Sequence, residues 1–132
     1  MKILIALIAL FSFMNFTGIT KTKETVMNPQ TEKVYTHAMW KVKPGMQEKF
    51  ITAWEQLAKL FSSLPQPPVE KGVLIQSLND QTLYYSFGPW EKMDDLTAMR
   101  NNEDVQKAMQ QLRQLCEEMT PGAYKLIREI KL

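Results

Sequence analysis

The chain has 132 residues, of which 45% are apolar, 10% aromatic and 23% charged, enough for one modest domain with a real core. Sixteen Lys and Arg against 14 Asp and Glu leave a formal charge of +2, too weak a field to hold a nucleic-acid backbone. Collagen-like, disordered and disulfide-rich classes are excluded by composition. The single cysteine, Cys116, and single histidine, His37, exclude an intramolecular disulfide and any multi-thiolate or His-rich metal cage.

Met1-Lys2 precedes an unbroken apolar run, Ile3 to Phe11, that continues with interruptions to Ile19. A short positive region followed by an apolar core of this size reads as a secretory signal over residues 1–20, with Gly18 and Thr20 as the small residues before the cut. The alternative is an uncleaved membrane anchor, but Ser12, Asn15, Thr17 and Gly18 dilute a run already short of the roughly 20 apolar residues a span needs. Residues 21–33 are polar and aperiodic, contain Pro29, and read as a flexible linker. The expected location is therefore periplasmic or secreted. Residues 34–132 are left to form the domain.

Val34 to Val42 alternates, with Val34, Thr36, Ala38, Trp40 and Val42 on one face and Tyr35, His37, Met39 and Lys41 on the other, the pattern of a strand. After Lys43-Pro44-Gly45, Met46 to Phe61 carries Phe50, Trp54, Leu57 and Phe61 on one stripe and reads as an amphipathic helix. Leu64-Pro65-Gln66-Pro67-Pro68 must be an extended loop. Gly72–Leu78 and Leu83–Phe87 read as strands joined through a turn at Asn79-Asp80-Gln81, with Gly88-Pro89 ending the second. A short helix is expected over Glu91–Arg100. A second, capped by Asp104, is expected to run to Met119, with Val105, Ala108, Met109, Leu112, Leu115 and Cys116 on its apolar stripe. That stripe predicts a buried, inert Cys116 thiol. Thr120-Pro121-Gly122 should stop the helix, leaving Ala123–Leu132 as the last strand.

The order is β-α-β-β-α-β, which predicts an α+β, ferredoxin-like fold: a four-stranded antiparallel sheet with helices on one face. The other sheet face, with Tyr35, Met39 and apolar positions of the remaining strands, is too apolar to stay wet. A second copy of the same sheet is the simplest cover, so a homodimer is expected.

Trp40-Lys41-Val42-Lys43-Pro44-Gly45, followed by Glu48, Phe50 and Trp54, resembles the opening of the antibiotic biosynthesis monooxygenase domains. Tyr85-Ser86-Phe87 running into Trp90-Glu91, with Leu96 and Arg100 beyond, resembles that family's second signature. The resemblance spans roughly Val34 to Ile130 and implies a dimeric α+β barrel. It also implies oxidation of a small aromatic or quinol-like substrate without metal or flavin. The substrate would supply the electrons, while the protein binds it and stabilises its anion. A haem-degrading branch exists, but its strand asparagine falls at Ala38 here and its iron-ligating histidine near Met109 and Gln110, so haem breakdown is not expected and no cofactor is assigned.

The resemblance places the ligand cleft between sheet and helices, lined by Ala38, Trp40, Phe50, Trp54, Trp90 and Met109. Catalytic candidates are Trp90, His37, Tyr85 and Arg100, each with a plainer structural alternative. His37 is the natural proton acceptor by residue type, yet its parity sets it opposite Ala38 and Trp40. Trp90 can equally plug the core, and Tyr85 shares parity with Leu83 and Phe87. Arg100 ends a helical stretch, where it can satisfy carbonyls. Asp94-Asp95 and Glu117-Glu118 are neighbours that point apart on a helix and make no carboxylate dyad. The function expected is an exported cofactor-independent monooxygenase; the alternative is a non-catalytic dimeric module that binds a small apolar metabolite.

Overall fold

A computed structural model describes residues 33–132; the signal read over residues 1–20 and nearly all of the linker lie outside the described residues. The element order is β1 (Val34–Val42), α1 (Gln47–Ser62), β2 (Val73–Gln76), β3 (Leu83–Trp90), α2 (Met93–Asn101), α3 (Glu103–Gln114) and β4 (Cys116–Lys125). The four strands form one sheet in the order β2-β3-β1-β4, and every neighbouring pair is antiparallel. This is the ferredoxin-like arrangement, with the second helical region divided in two.

Alternation in β1 has the expected consequence. Val34, Ala38, Trp40 and Val42 are buried and face α1 and α3, while Tyr35, His37 and Met39 face the other way. Gly45 ends the β1–α1 turn with φ +82, a left-handed conformation that favours glycine. In α1, Phe50 and Leu57 are the buried residues. Phe50 lies 5.4 Å from the Trp40 ring and 5.1 Å from Tyr84. The helix ends at Ser62, before a proline-rich stretch that cannot continue it.

Besides shifts of one residue in α1 and of up to two in α2, which begins at Met93 and ends at Asn101, three element boundaries differ from the expected ones, each for a local reason. β2 is only Val73–Gln76 rather than Gly72–Leu78. Ser77 Oγ accepts from the Asn79 and Asp80 amides, both at 3.2 Å, and thereby organises a loop where the strand would have continued. β3 runs through Gly88-Pro89 to Trp90. The Pro89 carbonyl accepts from Val69 N at 3.1 Å. In an antiparallel strand the N–H and C=O of one residue point the same way, so the missing Pro89 donor faces away from β1 and interrupts nothing there.

The third difference is the largest. α3 stops at Gln114 rather than Met119, and β4 occupies Cys116–Lys125 rather than Ala123–Leu132. The pairing of β4 with β1 shifts between Lys41 and Val42, where Val42 faces Cys116 and Lys41 faces Glu118. Skipping Glu117 brings Cys116 and Met119, three apart, to the same sheet face, which is why they read as a helical stripe. Thr120-Pro121-Gly122 passes through the strand, and an edge strand tolerates proline because one side of it pairs with no other strand among the described residues. Asn102, not Asp104, caps α3: its Oδ1 accepts from Asp104 N at 3.0 Å and Val105 N at 3.1 Å.

The core lies between the sheet and the helices, built on Trp40, Trp90, Phe50, Leu96, Leu112, Val42 and Val105, none more than 2% exposed. Cys116 is buried at its edge with a free thiol, and burial pushes that thiol up to about 11, so it stays protonated and unreactive at neutral pH. No helix among the described residues is long and apolar enough to cross a membrane.

Candidate functional site

Cross-strand register decides what the helix-facing side of the sheet can offer. Ala38 on β1 stands opposite Ser86 on β3 and Pro121 on β4, and Thr36 stands opposite Gly88. Small side chains thus meet at mid-sheet, and the helices cannot close down on them because Trp54, Phe61, Met109 and other large side chains hold them off. The result is a cleft of about 1280 Å³ between the sheet, α1, the proline-rich loop and the α2–α3 pair.

Two indoles at the back of this cleft are pinned by hydroxyls. Trp40 Nε1 donates to Ser86 Oγ at 2.9 Å, and Trp90 Nε1 donates to Thr36 Oγ1 at 3.3 Å. Thr36 in turn donates to the Gly88 carbonyl at 3.1 Å. A Cβ on Gly88 would come within 2.9 Å of Thr36 Oγ1, so glycine there keeps the Trp90 anchor in place. Both tethers satisfy indole N–H groups that would otherwise be buried without partners.

The mouth is charged. Arg100 from α2 and Lys107 and Arg113 from α3 border it, together with Lys71, Glu70 and Glu103. The ion pairs among the described residues are Lys33–Glu70 and Lys41–Asp80, so among the described residues these cations meet no carboxylate within ion-pair distance. Among the described residues no group of three His, Cys, Asp or Glu side chains is placed to hold a metal.

Of the residues the sequence proposed for the pocket, Ala38, Trp40, Trp54, Trp90 and Met109 border the cleft; so do the catalytic candidates Arg100 and His37, the latter from the strand whose other side carries its ring. Trp90, however, has 0% exposure and packs edge-on to Phe61 at 5.5 Å, so it backs the wall and offers no open face. Phe50 does not border the cleft; it is fully buried between Trp40 and Tyr84, because its turn of α1 sits over the sheet where no gap remains. His37 and Tyr85 belong to the opposite sheet face, where the His37 ring lies 5.6 Å from Tyr85, 4.9 Å from Phe87 and 5.4 Å from Tyr124. Strand parity turns both rings away from the cleft.

Sequence reasoning missed Thr36, Ser86, Lys107 and Arg113. Thr36 and Ser86 had a signal, being polar residues at cleft-facing parity in otherwise apolar strands. Arg113 stands four residues beyond Met109, on the same side of α3.

A ferredoxin-like domain with an aromatic cleft between its sheet and helices is the class of protein that the fold and the site define. The chain belongs to the antibiotic biosynthesis monooxygenase family, whose model matches residues 33–111. Its fold is shared with SnoaB, a cofactor-independent oxygenase from Streptomyces nogalater, at TM-score 0.67 and 16% identity over 75% of this chain and 97% of that one. PA3566 from Pseudomonas aeruginosa is similar at TM-score 0.63 and 15% identity, over 75% of this chain and 98% of that one. A conserved protein from Methanosarcina mazei Go1 is similar at TM-score 0.62 and 14% identity, over 72% and 93%. No curated protein sequence matches significantly.

Proposed function

We propose that this protein is an exported, homodimeric, cofactor-independent monooxygenase acting on a small aromatic or quinol-like molecule. The observation that carries the reading is the cleft itself: a space of about 1280 Å³ with a floor of small residues and walls of indole and thioether side chains, in a chain of this family. A flat aromatic ring fits such walls and gains from leaving water.

The substrate supplies the electrons. A hydroquinone plus dioxygen gives a hydroxyquinone plus water: one oxygen atom enters the ring and the other leaves reduced. The first requirement is a substrate anion that can pass an electron to dioxygen. Arg100, Lys107 and Arg113 at the mouth favour that anion by positive charge that no carboxylate among the described residues pairs with. The protein otherwise orients the ring and excludes water from it.

Homodimer formation is supported by the outer sheet face, where Val73, Ile75, Phe87 and Tyr124 are 46%, 47%, 39% and 56% exposed around His37. Export rests on the N-terminal run Ile3 to Phe11 after Lys2. A second reading, a non-catalytic module that holds an apolar metabolite, is favoured by the Trp40 and Trp90 N–H groups being engaged within the protein.

Dioxygen consumption with a panel of hydroquinones separates the two. The enzyme reading expects protein-dependent uptake above autoxidation, one dioxygen per hydroxyquinone, reduced about tenfold by Arg113→Gln. Binding of the same compounds without uptake establishes the second reading instead.

A further inference from the structure

His37 is the one histidine of the chain, and three other rings flank it on the sheet face away from the cleft. Tyr85 stacks on it at 5.6 Å, Phe87 tilts against it at 4.9 Å, and Tyr124 meets it edge-on at 5.4 Å. Its partner across the β1–β4 ladder is not Tyr124 but Gly122. The Tyr124 ring leans back over that glycine, where a Cβ would come within 2.7 Å of it, and so reaches the imidazole.

The charges on this face sit at its two ends and are matched there. Lys33, just before β1, pairs with Glu70 and is also drawn by Glu129. Lys41 pairs with Asp80, and Glu118 stands opposite it on β4. Each lysine lies four residues from His37, about 13 Å along a strand. Between them β1 brings Tyr35 and Met39, β3 brings Tyr85 and Phe87, and β4 brings Thr120, Gly122 and Tyr124. Beyond β3, β2 adds Val73 and Ile75. Phenols carry no charge at neutral pH, so no carboxylate among the described residues faces the imidazole. A partner joined through the same face by a two-fold axis presents the same groups and brings no new acid.

In the single chain His37 is half-buried and still meets water. A second copy on this face would cover it. A neutral imidazole lies comfortably among apolar rings. An imidazolium there loses its hydration and gains only aromatic faces, a weaker partner than the water given up.

We infer that His37 is a proton-operated switch of self-association: two copies join with His37 neutral, and its protonation in acid drives them apart. This rests on the reading of the outer sheet face as a dimer interface, and adds the condition under which that interface opens. The sign follows from which form binds the proton. The separated chain does and the dimer does not, so acid favours separation. Each dimer excludes two protons, which makes the dependence steep. The dissociation constant can rise by up to about a hundredfold for each pH unit below the ordinary histidine range near 6.5.

The test is sedimentation equilibrium of the protein without a histidine tag, at pH 8 and pH 5.5 and one ionic strength. The dimer dissociation constant of the unmodified protein is expected to rise more than about tenfold, with about a hundredfold as the limit for two excluded protons. His37→Phe keeps a ring in place and removes the proton site, so it should dimerise at both pH values with less than about a twofold change. The imidazole proton resonances of the single histidine give a second readout. They should titrate at lower pH in concentrated, dimeric protein than in dilute, monomeric protein. A dissociation constant that does not change with pH, a rise that persists in His37→Phe, or a titration independent of protein concentration overturns the switch and leaves the dimer standing. A protein that is monomeric at pH 8 overturns the dimer and the switch together. If His37→Phe fails to fold, the resonance titration decides.

Discussion

Asp80 shows how one side chain organises a loop and ties stability to pH. It pairs with Lys41 and accepts from the Thr82 amide at 3.0 Å and the Thr82 hydroxyl at 2.6 Å. The Lys41 bond first, then the Thr82 bonds, hold its carboxyl down to about 2 from an ordinary 3.8. A depressed carboxylate stabilises the fold above its unfolded value and loses that contribution as protons return. Unfolding midpoints in urea should therefore be lower for Asp80→Asn than for the parent at pH 6. The gap should close as pH falls from about 4 to about 2. The asparagine keeps the acceptor for Thr82, so the difference reports the charge; a gap independent of pH would show that Lys41 contributes nothing. The site follows the same logic of committed atoms: Thr36 and Ser86 hold the two indole N–H groups, although the sequence shows only two small polar residues in strands.

Between α2 and α3 the chain depends on a single side chain to restart a helix. Asn102 is extended, at φ −73 and ψ 127, and its Oδ1 takes two of the first amide protons of α3. Removing it leaves those donors to water and should cost about 1 kcal/mol. Asn102→Ala should lower the denaturant midpoint accordingly, whereas Asp104→Ala should cost less, because Asp104 acts only through its charge in the first turn. Equal effects would return the cap to Asp104, where the sequence alone had put it. The boundary of β4 teaches more. Leu115, Cys116 and Met119 are spaced as one side of a helix, yet the skipped residue at Glu117 makes the last two a strand pair. Periodicity read over so few residues cannot separate a helix from a bulged strand; the nine residues of β1 seeking partners decide it.

The largest consequence of the architecture is the sheet face that the helices leave bare. His37, Tyr85, Phe87 and Tyr124 form an aromatic group there, with Val73 and Ile75 half-exposed beside it. As a proposed homodimer, the protein should sediment as two copies at micromolar concentration. Phe87→Glu, which sets a charge on that face without touching the helical core, should raise the dimer dissociation constant more than tenfold. A monomeric parent protein would refute the dimer and leave the fold intact. Because Ala38 and His37 alternate on one strand, the cleft and this face share their backbone but not their side chains.

Residue pattern alone determined the elements that have a clean period and a long enough run. β1 is legible to the residue, α1 to within one, and the β-α-β-β order with its antiparallel sheet follows from them. The cleft-facing parity of Ala38 and Trp40, and the turning away of His37, were legible for the same reason. Tertiary structure alone decided which groups are closed off and which are spent. Phe50 is sealed between Trp40 and Tyr84, Trp90 is closed off by Phe61, and the Trp40 N–H is spent on Ser86. Those outcomes depend on contacts between residues 10 to 46 positions apart, and local propensity carries no record of them.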